Sequence, residues 1–129
     1  MSNYSAEWLV NNHLIYAIIY DIDNDGIVSL IDEMNQMVSS SNLPLVHVIL
    51  DLNQISKYPT NINEILPRLR TLFTNPRLGW YFHLTDNPMV GFLAQVASSA
   101  YRLRSRSYKT KDQALAFLKE QDSSLPDIQ

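Results

Sequence analysis

Cysteine is absent from the 129 residues, which excludes disulfides, thiol nucleophiles, cysteine-ligated zinc and iron–sulfur clusters. Glycine occurs only three times, too rarely to build a backbone cradle for phosphate groups. No Gly-x-Gly-x-x-Gly, P-loop or Gly-x-Ser-x-Gly motif is present. Long apolar runs are missing as well. The longest, Leu14 to Tyr20, falls far short of the about 20 residues that span a bilayer, so no membrane insertion is expected. No Lys or Arg precedes it, so the N-terminus does not read as a signal peptide, and a cytoplasmic location is expected. Basic charge is missing from the first 56 residues, which carry seven acids and no Lys or Arg. From Lys57 onward there are ten basic and six acidic residues, so the two parts carry −7 and +4. Such halves can attract across one core, pair in a homodimer, or polarise a surface that steers a partner.

What is present is a core-forming composition. Apolar residues make up 46% and charged residues 18%, which sets the chain apart from disordered sequences. The length fits a single domain over residues 1–129, with residues 122–129 expected to fray. Trp8 to Val10 and Leu14 to Asp21 read as strands joined at Asn11-Asn12-His13. The second is apolar almost throughout, as in a strand covered on both faces. Helical periodicity begins near Ser29 with Leu30, Met34, Met37 and Val38, and Pro44 keeps that helix ended. Val46 to Leu52 reads as a central strand. Asn61 or Asn63 caps a helix carrying Ile62, Ile65, Leu66, Leu69, Leu72 and Phe73, in which Pro67 predicts a late start or a kink. Trp80 to Leu84 is the next strand. Asn87-Pro88 starts a helix running to about Arg102, with Val90, Leu93, Val96, Ala97 and Ala100 inward. Arg104 to Tyr108 is a last strand, and Thr110 with Gln113 forms a capping box for a final helix. An opening hairpin followed by alternating helix and strand predicts an α/β fold: a mixed sheet of about five strands with about four helices.

This order of elements resembles the STAS family, the sulfate-transporter and anti-sigma-factor-antagonist domains. The similarity runs from about Trp8 to Leu118. It is carried by the strand and loop Val48-Ile49-Leu50-Asp51-Leu52-Asn53-Gln54-Ile55 and by the closing Tyr108-Lys109-Thr110-Lys111-Asp112-Gln113-Ala114-Leu115. Leu45-Val46-His47-Val48 and the stretch from Leu78-Gly79-Trp80 onward look like uncharacterised bacterial members. The resemblance implies a non-enzymatic regulatory module acting through protein–protein contact, with Lys57, Tyr58, Thr60 and Asn61 in the interaction loop. It also implies a phosphoacceptor position at Thr60. The sequence departs from the family's switch, placing Pro59 and Thr60 where Asp and Ser stand, and Ile62 where a Gly follows.

Three other constellations carry chemistry of their own. Asp21-Ile22-Asp23-Asn24-Asp25-Gly26-Ile27-Val28-Ser29-Leu30-Ile31-Asp32 fits a twelve-position calcium loop. Ca²⁺ is thus the one cofactor candidate, with Asp21, Asp23, Asp25, Ile27, Ser29 and Asp32 as ligands. The competing reading of the same residues is a strand-to-helix turn whose acids favour a helix N-terminus. Arg104 and Arg106, two apart on a strand, face the same way and can grip an anion, or can protect an edge strand by charge. Trp80, Tyr81, Phe82, Met89, Phe92 and Leu93 can line a pocket for an apolar small ligand or lipid, or simply fill the core. His13, His47 and His83 lack metal-ligand spacing, and His47 and His83 are expected to be hydrogen-bonded structural residues. No nucleic-acid motif accompanies the net charge of −3.

Overall fold

Eight residues of alternating exposure, Asn3–Val10, form β1 and pair antiparallel with β2, Leu14–Asp21. The computed structural model describes residues 2–125. β2 pairs in parallel with β3 (Val46–Asp51), β3 with β4 (Leu78–Leu84), and β4 with β5 (Ser105–Tyr108). Sheet order follows chain order, β1-β2-β3-β4-β5. The acid-only part of the chain therefore supplies the first three strands, and the basic part supplies the last two.

Helix α1 (Asn24–Ser40), helices α2 (Ile62–Arg68) and α3 (Arg70–Phe73), and helix α4 (Pro88–Ala100) cover one face of the sheet. Their buried residues pack on Ile15, Ala17 and Ile19 of β2 and on Val46 and Val48 of β3. Helix α5 (Lys111–Gln121) covers the other face, setting Ala114, Leu115 and Leu118 against Leu14, Ile49, Phe82 and Leu84. The result is the expected five-stranded mixed sheet, with one short helix more than the four expected. β2 is covered on both faces, as its apolar run predicts.

Local chemistry explains most boundaries. Asn61 caps α2, Asn87 caps α4, and Thr110 with Gln113 closes a capping box on α5. Pro67 cannot donate a backbone hydrogen bond, and the helix breaks after Arg68. Leu69 N–H then turns back to Leu66 O (3.2 Å) before α3 resumes.

Four expectations are corrected. β1 begins at Asn3 rather than Trp8, because an edge strand needs only the half-buried alternation of Tyr4, Ala6 and Trp8. Helix α1 begins at Asn24 rather than near Ser29. Ala100 is exposed, and Ser98 takes an inward place instead, its hydroxyl satisfied by Ala94 O at 2.8 Å. The first part of the 122–129 tail is docked, with Asp122 bonded to His47 and Leu125 buried beside α5. Residues 126–129 lie outside the described residues.

Candidate functional site

The segment between β3 and α2 lies at the C-terminal edge of the parallel strands, where α/β folds present their functional loops. Asp51, the last residue of β3, anchors it: one carboxylate oxygen accepts from the Tyr16 hydroxyl and the other from Asn53 N–H at 3.0 Å. The Asn53 side chain donates to Lys109 O at 2.8 Å, tying the segment to the start of α5. Lys111 sits 5.0 Å above the Tyr16 ring. Burial and the Asp51 carboxylate push the Tyr16 hydroxyl well above its usual range, so it stays protonated as the donor.

Beyond Asn53 the chain is stitched to β2. Ser56 N–H donates to Tyr20 O (2.8 Å), and Ile22 N–H donates to Lys57 O (2.9 Å). Lys57, Thr60 and Asn61 are exposed. Tyr58 is half-buried and packs on the core with Ile55 and Ile62, keeping part of its surface accessible. The Asn61 side chain accepts from Asn63 N–H at 3.1 Å, which makes it a helix cap.

The acidic turn starts helix α1. Asp23 caps α1, accepting from Gly26 N–H at 2.7 Å, and Asn24 onward is helical. Asp25, Ser29 and Asp32 then share one exposed face of the helix but are strung along about 10 Å of its axis, at about 1.5 Å per residue, while Ile27 is buried on the opposite side and its carbonyl lies within the helix. Asp21 belongs to β2, and its backbone bridges to Lys57. Among the described residues, no three His, Cys, Asp or Glu side chains cluster as metal ligands would. The structure thus gives the twelve-position reading no support, and these residues form a capped helix start. Hydrogen bonds from Gly26 N–H and the Ser2 hydroxyl hold the Asp23 carboxyl below its usual range.

On the α5 side, Arg106 is exposed and lies 4.9 Å from the centre of the Phe117 ring. Arg104 borders a cleft of about 270 Å³ with His13, His47, Trp80 and Asp122. His47 is 2% exposed. Its Nδ1 accepts from Trp80 N–H at 2.9 Å, so its proton sits on Nε2, which faces Asp122 at 2.8 Å. Both ring nitrogens are engaged, leaving neither to act as a base. Burial holds the imidazole below its usual value, against the Asp122 carboxylate, which favours the charged form. His83 is 1% exposed, and its Nδ1 lacks a hydrogen-bond partner. The expectation of a hydrogen-bonded structural histidine fits His47 and fails for this atom of His83.

An apolar cavity of about 130 Å³ lies between the sheet and α1, α2 and α4. It differs from the pocket expected from the sequence. Tyr81 and Leu93 line it, but Trp80 and Phe82 face α5, where they pack with Phe117. Met89 and Phe92 point outward, 53% and 63% exposed.

Arg77 carried no signal in the sequence. Its guanidinium donates to the carbonyls of Ser39, Ser41 and Leu43, supplying the cation that the last turn of α1 lacks.

No protein-family model matches the chain, and no curated protein matches it by sequence. Its likeness is to solved structures. It aligns with the anti-sigma factor antagonist SpoIIAA in its unphosphorylated form at 12% identity and TM-score 0.61, over 92% of this chain and 97% of that one. An uncharacterised protein of the DUF3478 family, with a SpoIIAA-like fold, from Shewanella loihica PV-4 aligns at 9% identity and TM-score 0.65, over 92% and 95%. The Bacillus cell fate determinant SpoIIAA in its phosphorylated form aligns at 13% and 0.59, over 90% and 99%. The chain has a SpoIIAA-like, STAS-like α/β fold. None of its described helices is long and apolar enough to cross a membrane.

Proposed function

We propose that this chain is a non-enzymatic regulatory module that works by docking a protein partner on the segment 53–63. The observation that carries the reading is the fastening of that segment. Asp51, Asn53, Ser56 and Lys57 fix its backbone at the C-terminal edge of the sheet, while Lys57, Thr60 and Asn61 stay exposed on it. A rigid loop with exposed polar tips suits recognition, because little is left to order on binding. The SpoIIAA-like fold supports the same reading, one of those structures being that of an anti-sigma factor antagonist. The engagement of both His47 nitrogens and of both Asp51 oxygens argues against a catalytic role for either.

Thr60, the exposed hydroxyl of the segment, is the phosphoacceptor in this reading, and a cytoplasmic location goes with it. The acidic and basic flanks of the sheet would steer the partner or a second copy. A photo-crosslinking residue at Thr60, with a control at Asp112, tests the docking site. Crosslinks to one partner from Thr60 alone, lost in Lys57→Glu, are expected. Equal crosslinking from both positions places the interface elsewhere. Sedimentation of the purified chain separates a homodimer from a monomer.

A further inference from the structure

We propose that the cavity beneath the 53–61 segment is a binding site for an uncharged hydrocarbon group about the size of one benzene ring. This is independent of the docking reading above. Its volume of about 130 Å³ approaches that of dry engineered cavities that admit benzene. No lining residue carries a charge, and the hydroxyls of Tyr58 and Tyr81 are the only polar groups on its side chains. Water would find few partners there, and a charged ligand none.

The packing of α4 distinguishes the space from an ordinary packing defect. That helix turns Val90, Leu93, Ala94 and Ala97 toward the cavity, two of the four being alanines, while its large apolar residues Met89 and Phe92 face solvent. Core packing favours the reverse arrangement, with bulk inside and small residues out. The two alanines of this helix, which carries no charged side chain, leave room at their part of the lining. The mouth is set by exposure. Ile55, Tyr58 and Pro59 of the segment and Leu93 of α4 are lining residues that keep partial access to solvent. A ligand would enter between segment and helix and rest on Leu30, Met34 and Tyr81.

The same chemistry can come from a free small molecule or from the end of an acyl chain. Methyl and amide NMR of the full chain, titrated separately with toluene and octanoate, distinguishes them. Saturable shifts at Leu30, Met34 and Ala97 with toluene alone indicate a compact ligand; saturation by octanoate as well indicates a chain end. Ala97→Leu fills the space and should weaken either ligand at least tenfold while keeping or raising the melting temperature. Should that variant fold poorly, Ala94→Leu repeats the test from one turn away. Phe92→Ser, on the outer face, should leave binding unchanged. Three results would overturn the proposal: saturation by neither probe, undiminished shifts in a folded cavity-filling variant, or shifts confined to Met89 and Phe92.

Discussion

His47 on β3 and Asp122 just beyond α5, 75 positions apart, meet at 2.8 Å and hold the end of the last helix to the centre of the sheet. The imidazole must stay neutral to accept from Trp80 N–H, and burial favours that state. His13, Arg104 and Asp122 are the charged or titratable groups that act on it. A histidine whose folded value lies below its unfolded value of about 6.5 stabilises the protein fully above that pH. Its contribution is lost progressively as pH falls from there through the folded value. His83, also lowered by burial, adds in the same direction. Urea midpoints should therefore be flat from pH 8 to 7 and fall below about 6.5, with His47→Gln showing a shallower fall. A midpoint that rises on acidification contradicts this.

Asp122→Ala should release the tail without unfolding the sheet. Loss of a charge-assisted hydrogen bond at a partly exposed site costs about 1–2 kcal/mol. Hydrogen exchange should accelerate at Ser124 and Leu125 while the amides of β3 stay protected.

Gly79 has a function that its torsions do not reveal. A Cβ there would lie 2.5 Å from His47 Nδ1 and 2.7 Å from its Cε1. Both atoms belong to a ring held on two sides, so it cannot swing away cheaply. Gly79→Ala should cost about 2–3 kcal/mol by displacing the ring. In the same variant the Trp80 amide resonance should shift as its bond to Nδ1 is lost.

Arg77→Ala removes three carbonyl contacts at the end of α1 and should lower stability by about 2 kcal/mol. Lysine presents a point charge rather than a planar fork, so Arg77→Lys should recover less than half of that. Denaturant titration of the three proteins reads the difference.

Calcium should produce no saturable amide shift over residues 21–32, because those residues are committed to a strand end, a cap and a helix. Asp23→Ala should instead speed hydrogen exchange at residues 24–27 by removing the cap. Saturable calcium shifts at Gly26 would overturn the capped-helix account.

Elements governed by neighbours in sequence were legible. Asn87-Pro88, the Thr110–Gln113 box and the break at Pro67 act through bonds spanning three or four residues, and each falls where the pattern puts it. The apolar run of β2 announces its burial for the same reason. Asp23-Asn24-Asp25-Gly26 allows two readings because a metal loop and a capped helix ask for the same residues. Only the backbone course from Asn24 separates them. Of the interaction segment, the exposure of Lys57, Thr60 and Asn61 follows from polarity, but the inward packing of Tyr58 does not.

The sequence by itself determined the succession of elements, most of their caps and the α/β class, because hydrophobic period and capping chemistry are local. Tertiary structure alone decided which faces the aromatics take, where His47 finds Asp122, which carbonyls Arg77 grips, and that α4 leaves a cavity under its alanines. Those outcomes depend on how strands from distant parts of the chain are ordered and how helices lie across them. Residues far apart in sequence meet only after that ordering, and no short-range pattern encodes their meeting.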